Sequence, residues 1–211
     1  MFRLICLIRL KLFWRRLWGC RMKEVYDKIW KLARPYYEKG RPMDINHVEW
    51  MIGDAAIVCK KEKLDDSILL PLVILHDVGY GVGEHVYSDK NLKGKYMEEG
   101  SRIARTLLEK IGYPKGKIKR IQDYISVHDN WIYGEHEIYR NDLILGTFTD
   151  LDYMWMATPK GFPALMKVFG YSKEEMIEFL DMNEKLENRP FVTETVKRLY
   201  ESYMKDRRAE V

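Results

Sequence analysis

The sequence predicts an all-helical, single-domain fold, and three observations carry that expectation. From Met22 onward apolar residues recur at intervals of three and four, the period of an amphipathic helix. Helix punctuation falls between the periodic stretches: Gly40-Arg41-Pro42, Gly112-Tyr113-Pro114 and a Ser172…Glu175 capping box. The most strand-like run, Ile68 to Leu75, contains Pro71, which cannot donate to a central sheet ladder but is tolerated near a helix start. With 211 residues, 46% hydrophobic and 32% charged, the chain can build one sizeable core under a well-solvated surface.

The elements follow in order. A first helix spans Lys23 to Glu38, with Val25, Ile29, Ala33 and Tyr37 at helical spacing. Asp44 is expected to cap a second, reaching Lys61, with His47, Met51 and Val58 on one face. A third starts behind Asp65–Ser67 and runs from Ile68 to Val78; it is apolar all round, which marks it as central and buried. Gly79, Gly81 and Gly83 then open a loop whose glycines read as flexibility beside a site. Helices over Lys93–Ile111, Lys115–His128 and Glu137–Met156 come next. One more opens at Thr158-Pro159, one at Ser172 and the last near Thr193, eight or nine in all. Three regions result: a basic, apolar extension over 1–21, a core over 22–156, and C-terminal helices over 157–211 that pack on the core and carry no chemistry of their own.

The net charge of +4 is misleading. Residues 1–21 hold six basic residues and no acidic one, which leaves 30 basic against 32 acidic residues in the body. No electrostatic footprint for nucleic acid remains. The longest uncharged run of the first segment, Leu4 to Ile8, is far below the roughly 20 residues of a spanning helix. Two readings stand for it: an extension outside the fold, with Met22 as the true start, or a short helix making weak membrane-surface contact through residues 1–20. Cys6, Cys20 and Cys59 are odd in number and lack C-x-x-C spacing, which argues against disulfides and zinc ribbons and for a reducing, cytoplasmic setting.

Five histidines are present: His47, His76, His85, His128 and His136. His76-Asp77 follows seven residues of almost pure hydrocarbon and precedes glycines, so the pair ends a buried helix where both side chains can reach one cation. His47 points inward from the preceding helix, and Asp150 lies in the apolar run LILGTFTDLDYMWM. Asp150 and Asp152 stand about 200° apart on a helix, so only one can face a site. Asp150 is the expected one, since Asp152 then falls toward Tyr153 and the outer face. Two imidazoles and two carboxylates suit Mn, Fe, Co, Ni, Zn or Mg rather than copper or an iron–sulfur cluster.

The order His47, then L-H76-D77-V-G, then Asp150 resembles the HD superfamily of metal-dependent phosphohydrolases. EEGSRIARTLLEKIGYP, IQDYISVHDN and NDLILGTFTDLDYM are similar to that superfamily's following segments, so the likeness covers about residues 24–156. It implies an HD-type helical bundle, a divalent metal held by His47, His76, Asp77 and Asp150, and hydrolysis of a phosphoester of a nucleotide or other small phosphorylated metabolite. Asp77 and His128 would be the catalytic residues. His128 matches a second-metal or phosphate-binding histidine, with helix-end capping as its bland alternative. The histidine common in two-metal members is replaced by Tyr96, which favours one metal, and Tyr80-Gly81 stands where alarmone hydrolases carry Glu-Asp. A dinuclear phosphodiesterase or oxygenase using His85 and His128, or a non-catalytic nucleotide-sensing module, are the alternatives. His85, Lys93, Lys95 and Arg102 are candidate substrate-binding residues, and His136 reads as a surface residue. Trp131, Tyr133, Tyr153 and Trp155 are candidates for a pocket wall. The sequence sets neither oligomeric state nor substrate.

Overall fold

The structure is a computed structural model, and it describes residues 20–82 and 90–211. Among these residues there are helices and turns and no strand. The long helices are α1 (Cys20–Lys39), α2 (Asp44–Glu62), α3 (Asp66–Leu75), α4 (Lys90–Lys110), α5 (Lys115–Ile125) and α7 (Leu143–Met154). A five-residue α6 (Glu137–Asn141) precedes α7. The C-terminal group is α8 (Gly161–Phe169), α9 (Lys173–Asp181), α10 (Glu184–Asn188) and α11 (Glu194–Arg208). Short 3-10 turns fill Val78–Val82, Asn130–Tyr133 and Trp155–Ala157. The all-helical expectation holds, with more elements than eight or nine. The extra ones are short, and periodicity over five residues carries too little pattern to read.

Helix α3 is the axis. Asp65 accepts from the Ser67 N–H at 3.0 Å and starts it, and every residue from Ile68 to Leu75 is buried. Helices α1, α2, α5 and α7 surround it, so no face is left for water. Pro71 sits in the second turn and cannot donate to the Ser67 carbonyl, which accepts instead from the Tyr113 hydroxyl at 2.7 Å. The helix ends at Leu75, which places His76 and Asp77 at the centre of the molecule.

Three local expectations need correction. Asp44 is the first residue of α2 rather than its cap; the cap position is Met43, which supplies no side-chain capping bond. Asp44 instead accepts from Arg41, with oxygen–nitrogen distances of 2.8 and 3.1 Å, and is buried. The stretch Glu137–Met156 is two helices, because Asp142 turns its carboxylate onto the N–H groups of Ile144 and Leu145 and starts a new one. The glycines after Asp77 serve close packing. A β-carbon on Gly79 would lie 2.0 Å from the Tyr96 carbonyl oxygen, and one on Gly81 would lie 2.8 Å from that of Tyr36. These glycines let α4 and α1 clamp the turn behind Asp77. Gly83 lies outside the described residues, as do His85, Cys6 and residues 1–19 of the extension; α1 takes in Cys20 and Arg21.

Candidate metal centre

Two helix ends aim imidazoles at one point. At the end of α3, His76 Nδ1 lies 2.9 Å from the Val73 carbonyl oxygen; at the end of α5, His128 Nδ1 lies 2.7 Å from that of Ile125. Each ring thus satisfies a terminal carbonyl of its own helix, which the helix ladder leaves open. Donation from Nδ1 leaves Nε2 as the position that carries either a second proton or a metal ion. Helix-end capping and ligation are therefore compatible roles for both residues. His47 comes in from α2, its ring stacked on Trp155 with centroids 5.2 Å apart. The Nε2 atoms of His47, His76 and His128 are all buried without a hydrogen bond. Three buried ring nitrogens without a hydrogen bond at one place call for a positive charge, a proton or a metal ion, on each.

Carboxylates complete the cluster. Asp77 places Oδ2 3.3 Å from His76 Nε2 and Oδ1 3.5 Å from His128 Nε2, with Arg41 at 3.8 Å behind it. Ligand atoms of His47, His76 and Asp77 all lie within 4.8 Å of one another, the spacing of donors around a single cation. That group can hold a metal ion.

The aspartate from α7 is Asp152, and the expectation for Asp150 is corrected. Asp152 Oδ1 is 3.0 Å from His47 Nε2 and 3.9 Å from His76 Nε2. Asp150 turns the other way, accepting from Lys185 Nζ at 2.6 Å and from the Val192 N–H at 2.8 Å. The face of α7 opposite the cluster is not an outer face. The chain around α10 folds over it, and a buried lysine there requires a buried anion.

The charges interlock. Burial pushes His76 toward lower pKa, but Asp77 and Asp152 beside it reverse this and hold it at about 9. Burial pushes Asp152 up, and His47 and His76 more than offset it, leaving about 2. Burial likewise opposes ionisation of Asp77, which the His76 and His128 imidazoles and Arg41 overcome. Asp44 is raised to about 6 by burial, with Arg41 pulling the other way. Protons on imidazole thus supply the positive charge that the carboxylates demand, and a cation would take their place.

Beyond His128 the pattern differs. Lys93 pairs with Asp129, which also accepts from Trp131 Nε1 at 3.0 Å. Burial lowers the Lys93 pKa, but Asp129 outweighs it and keeps the ammonium charged. Tyr96 and Tyr80 pack together with ring centroids 4.5 Å apart, and the space between His128, Asp129 and Lys93 has no room for a water molecule.

A cleft of about 850 Å³ opens on the cluster. His47, Asp152, Asp44 and Arg41 form one side. Trp131, Tyr153 and Trp155 line it, whereas Tyr133 is about half exposed and lies outside it. The far wall is Leu165, Phe169, Phe179, Lys185 and Arg189, all from residues 157–211. Lys95 and Arg102 do not reach this cleft. They border a separate surface hollow over α4, and both are exposed, with Arg102 doubly bonded to Glu99 at 2.6 and 2.9 Å. Substrate binding by those two at this site is therefore corrected: α4 turns them to a different face. Arg41, Asp44 and Asp152 were missed as site residues. The Asp44…His47 spacing of three, one helical face, was a signal available for Asp44.

No family model, curated protein or solved structure matches the chain. Among the described residues, no helix is long and apolar enough to cross a membrane.

Proposed function

We propose that this chain is a divalent-metal-dependent phosphohydrolase that acts on a small phosphoester with one metal ion. The observation that carries the reading is the convergence of three buried Nε2 atoms without a hydrogen bond and two carboxylates beside an open cleft. His47, His76, Asp77 and Asp152 would hold the ion, a mixed nitrogen and oxygen set suited to a divalent first-row metal or Mg. When bound there, such an ion acidifies water and draws charge from a phosphoryl oxygen.

The chain's own groups do the rest. Asp77 has one oxygen toward His76 and one toward His128, which keeps its carboxylate ionised and oriented to hold the ion. His128, its ring held by the Ile125 carbonyl, fixes the second oxygen of Asp77 from behind the centre. Arg41 offsets the charge of Asp77 and is itself fixed by Asp44 and by the Tyr80 ring 4.3 Å away. The one-metal reading is supported by Lys93, whose ammonium already neutralises Asp129 where a second cation would have to stand.

The test is a panel of phosphomonoesters, phosphodiesters and nucleotides with Mn, Co, Ni, Zn and Mg. Hydrolysis of at least one substrate is expected, abolished by chelation and by Asp77→Ala. An inactive panel, or activity untouched by Asp77→Ala, refutes the proposal.

A further inference from the structure

One cation in the cleft wall has no anion. Arg189 is 6% exposed, follows the five-residue α10, and lines the same cleft as His47 and Asp152. Its Nε has no hydrogen-bond partner, and no carboxylate among the described residues pairs with its guanidinium. Two ring faces hold it, Trp131 at 4.8 Å and Tyr139 at 5.5 Å from Cζ. The Tyr139 hydroxyl is already spent, donating to the Val127 carbonyl and accepting from the Trp131 N–H. The nearby carboxylate of Asp150 is committed to Lys185 and Val192.

A buried guanidinium without a counter-charge is costly, and burial does push its pKa below the usual range. The ring faces repay part of that cost and orient the planar fork without using its N–H groups. A structural arginine would be expected to spend those donors on the protein. Lys185 is neutralised by Asp150 and Arg41 by Asp44, which leaves Arg189 as the cleft-lining arginine that no carboxylate among the described residues pairs with. Glu175, Glu178 and Glu184 also border the cleft, but they are exposed and solvated at its rim.

We infer that Arg189 is the anion-binding residue of the cleft and takes two oxygens of the substrate's phosphoryl group in its fork. The inference rests on the phosphohydrolase reading for the identity of that anion. It makes residues 157–211 part of the binding site rather than a cover, and it makes Arg189 a determinant of affinity with no role in holding metal. Phe169 and Phe179 at the same wall add contact for an apolar or planar group on the phosphoester.

The test is binding of inorganic phosphate to the full chain, with and without Mn, by calorimetry. Arg189→Gln should weaken phosphate about 10- to 100-fold, the loss of one or two charge-assisted hydrogen bonds. Its melting temperature should stay level or rise, because an unpaired buried charge has gone, and its metal stoichiometry should not change. Arg189→Lys keeps the charge but loses the fork, and should bind phosphate more weakly than the parent chain. A merely structural arginine gives the opposite pattern, a lower melting temperature with phosphate affinity intact, and that result overturns the inference. So does a parent chain that binds no phosphate under either condition. Arg189-dependent phosphate binding by a protein that hydrolyses no phosphoester would sink the enzyme reading and leave this one standing.

Discussion

Two aspartates of one helix carry different work. Asp152 faces His47 and His76, whereas Asp150 neutralises a lysine that is itself buried. Their amide variants should therefore fail in different ways. Asp152→Asn should cost at least about 100-fold in metal affinity, more than loss of an outer hydrogen bond to a ligand, and lower the stability of the metal-free chain less than Asp150→Asn does. Asp150→Asn should leave the metal stoichiometry intact and destabilise the fold by about 3–5 kcal/mol, because Lys185 is then buried without a partner. Equilibrium dialysis and chemical unfolding of both variants separate the two roles; reversed results would restore Asp150 to the centre. His76-Asp77 was legible in the sequence because hydrocarbon ends abruptly in two polar groups. The choice between Asp150 and Asp152 was not, since it depends on which face of α7 is covered by chain some 35 residues later.

At the scale of elements, the packing of α2 against α11 contains a titrating contact away from the centre. Asp54 is buried and accepts from Trp50 Nε1 at 2.9 Å and from the Tyr203 hydroxyl at 3.1 Å. Burial raises its pKa to about 6, and the two donors only partly oppose this. An acid whose folded pKa exceeds its unfolded value, near 4, favours the fold when protonated. That contribution is present below about pH 4 and is lost as pH rises through 6. Asp54→Asn should then stabilise the protein by roughly 1–3 kcal/mol at pH 8 and by almost nothing at pH 4, read from urea midpoints at the two pH values. An equal effect at both pH values would show that Asp54 titrates as an ordinary surface acid. The long elements were legible because each repeats its period over several turns, and α3, α7 and α11 add a capping side chain at the start. The turn at Val78–Val82 was misread as flexible because glycine signals both freedom and close approach. Only Tyr96 and Tyr36, distant in sequence, decide between them.

Over the whole molecule, charge is distributed by depth. The exposed ion pairs are mostly helical neighbours, such as Arg34 with Glu38 and Arg105 with Glu109, and contribute little each. The buried ones, Asp150 with Lys185 and the histidine–aspartate cluster, meet α7 through Asp150 and Asp152, and the cleft is lined by Lys185 as well as by His47 and Asp152. The C-terminal helices thus supply half of the cleft, although their own sequence shows only ordinary amphipathic patterning. What they add is position, and position over such separations is set by the folded core rather than by local pattern. The central claim is that the core exists to hold one cation at His47, His76, Asp77 and Asp152. Its most direct test is elemental analysis of the full chain after dialysis against divalent metal. One ion per chain in the parent protein and none in Asp77→Ala is the expected result. No ion in the parent, two ions, or one retained after Asp77→Ala would contradict it.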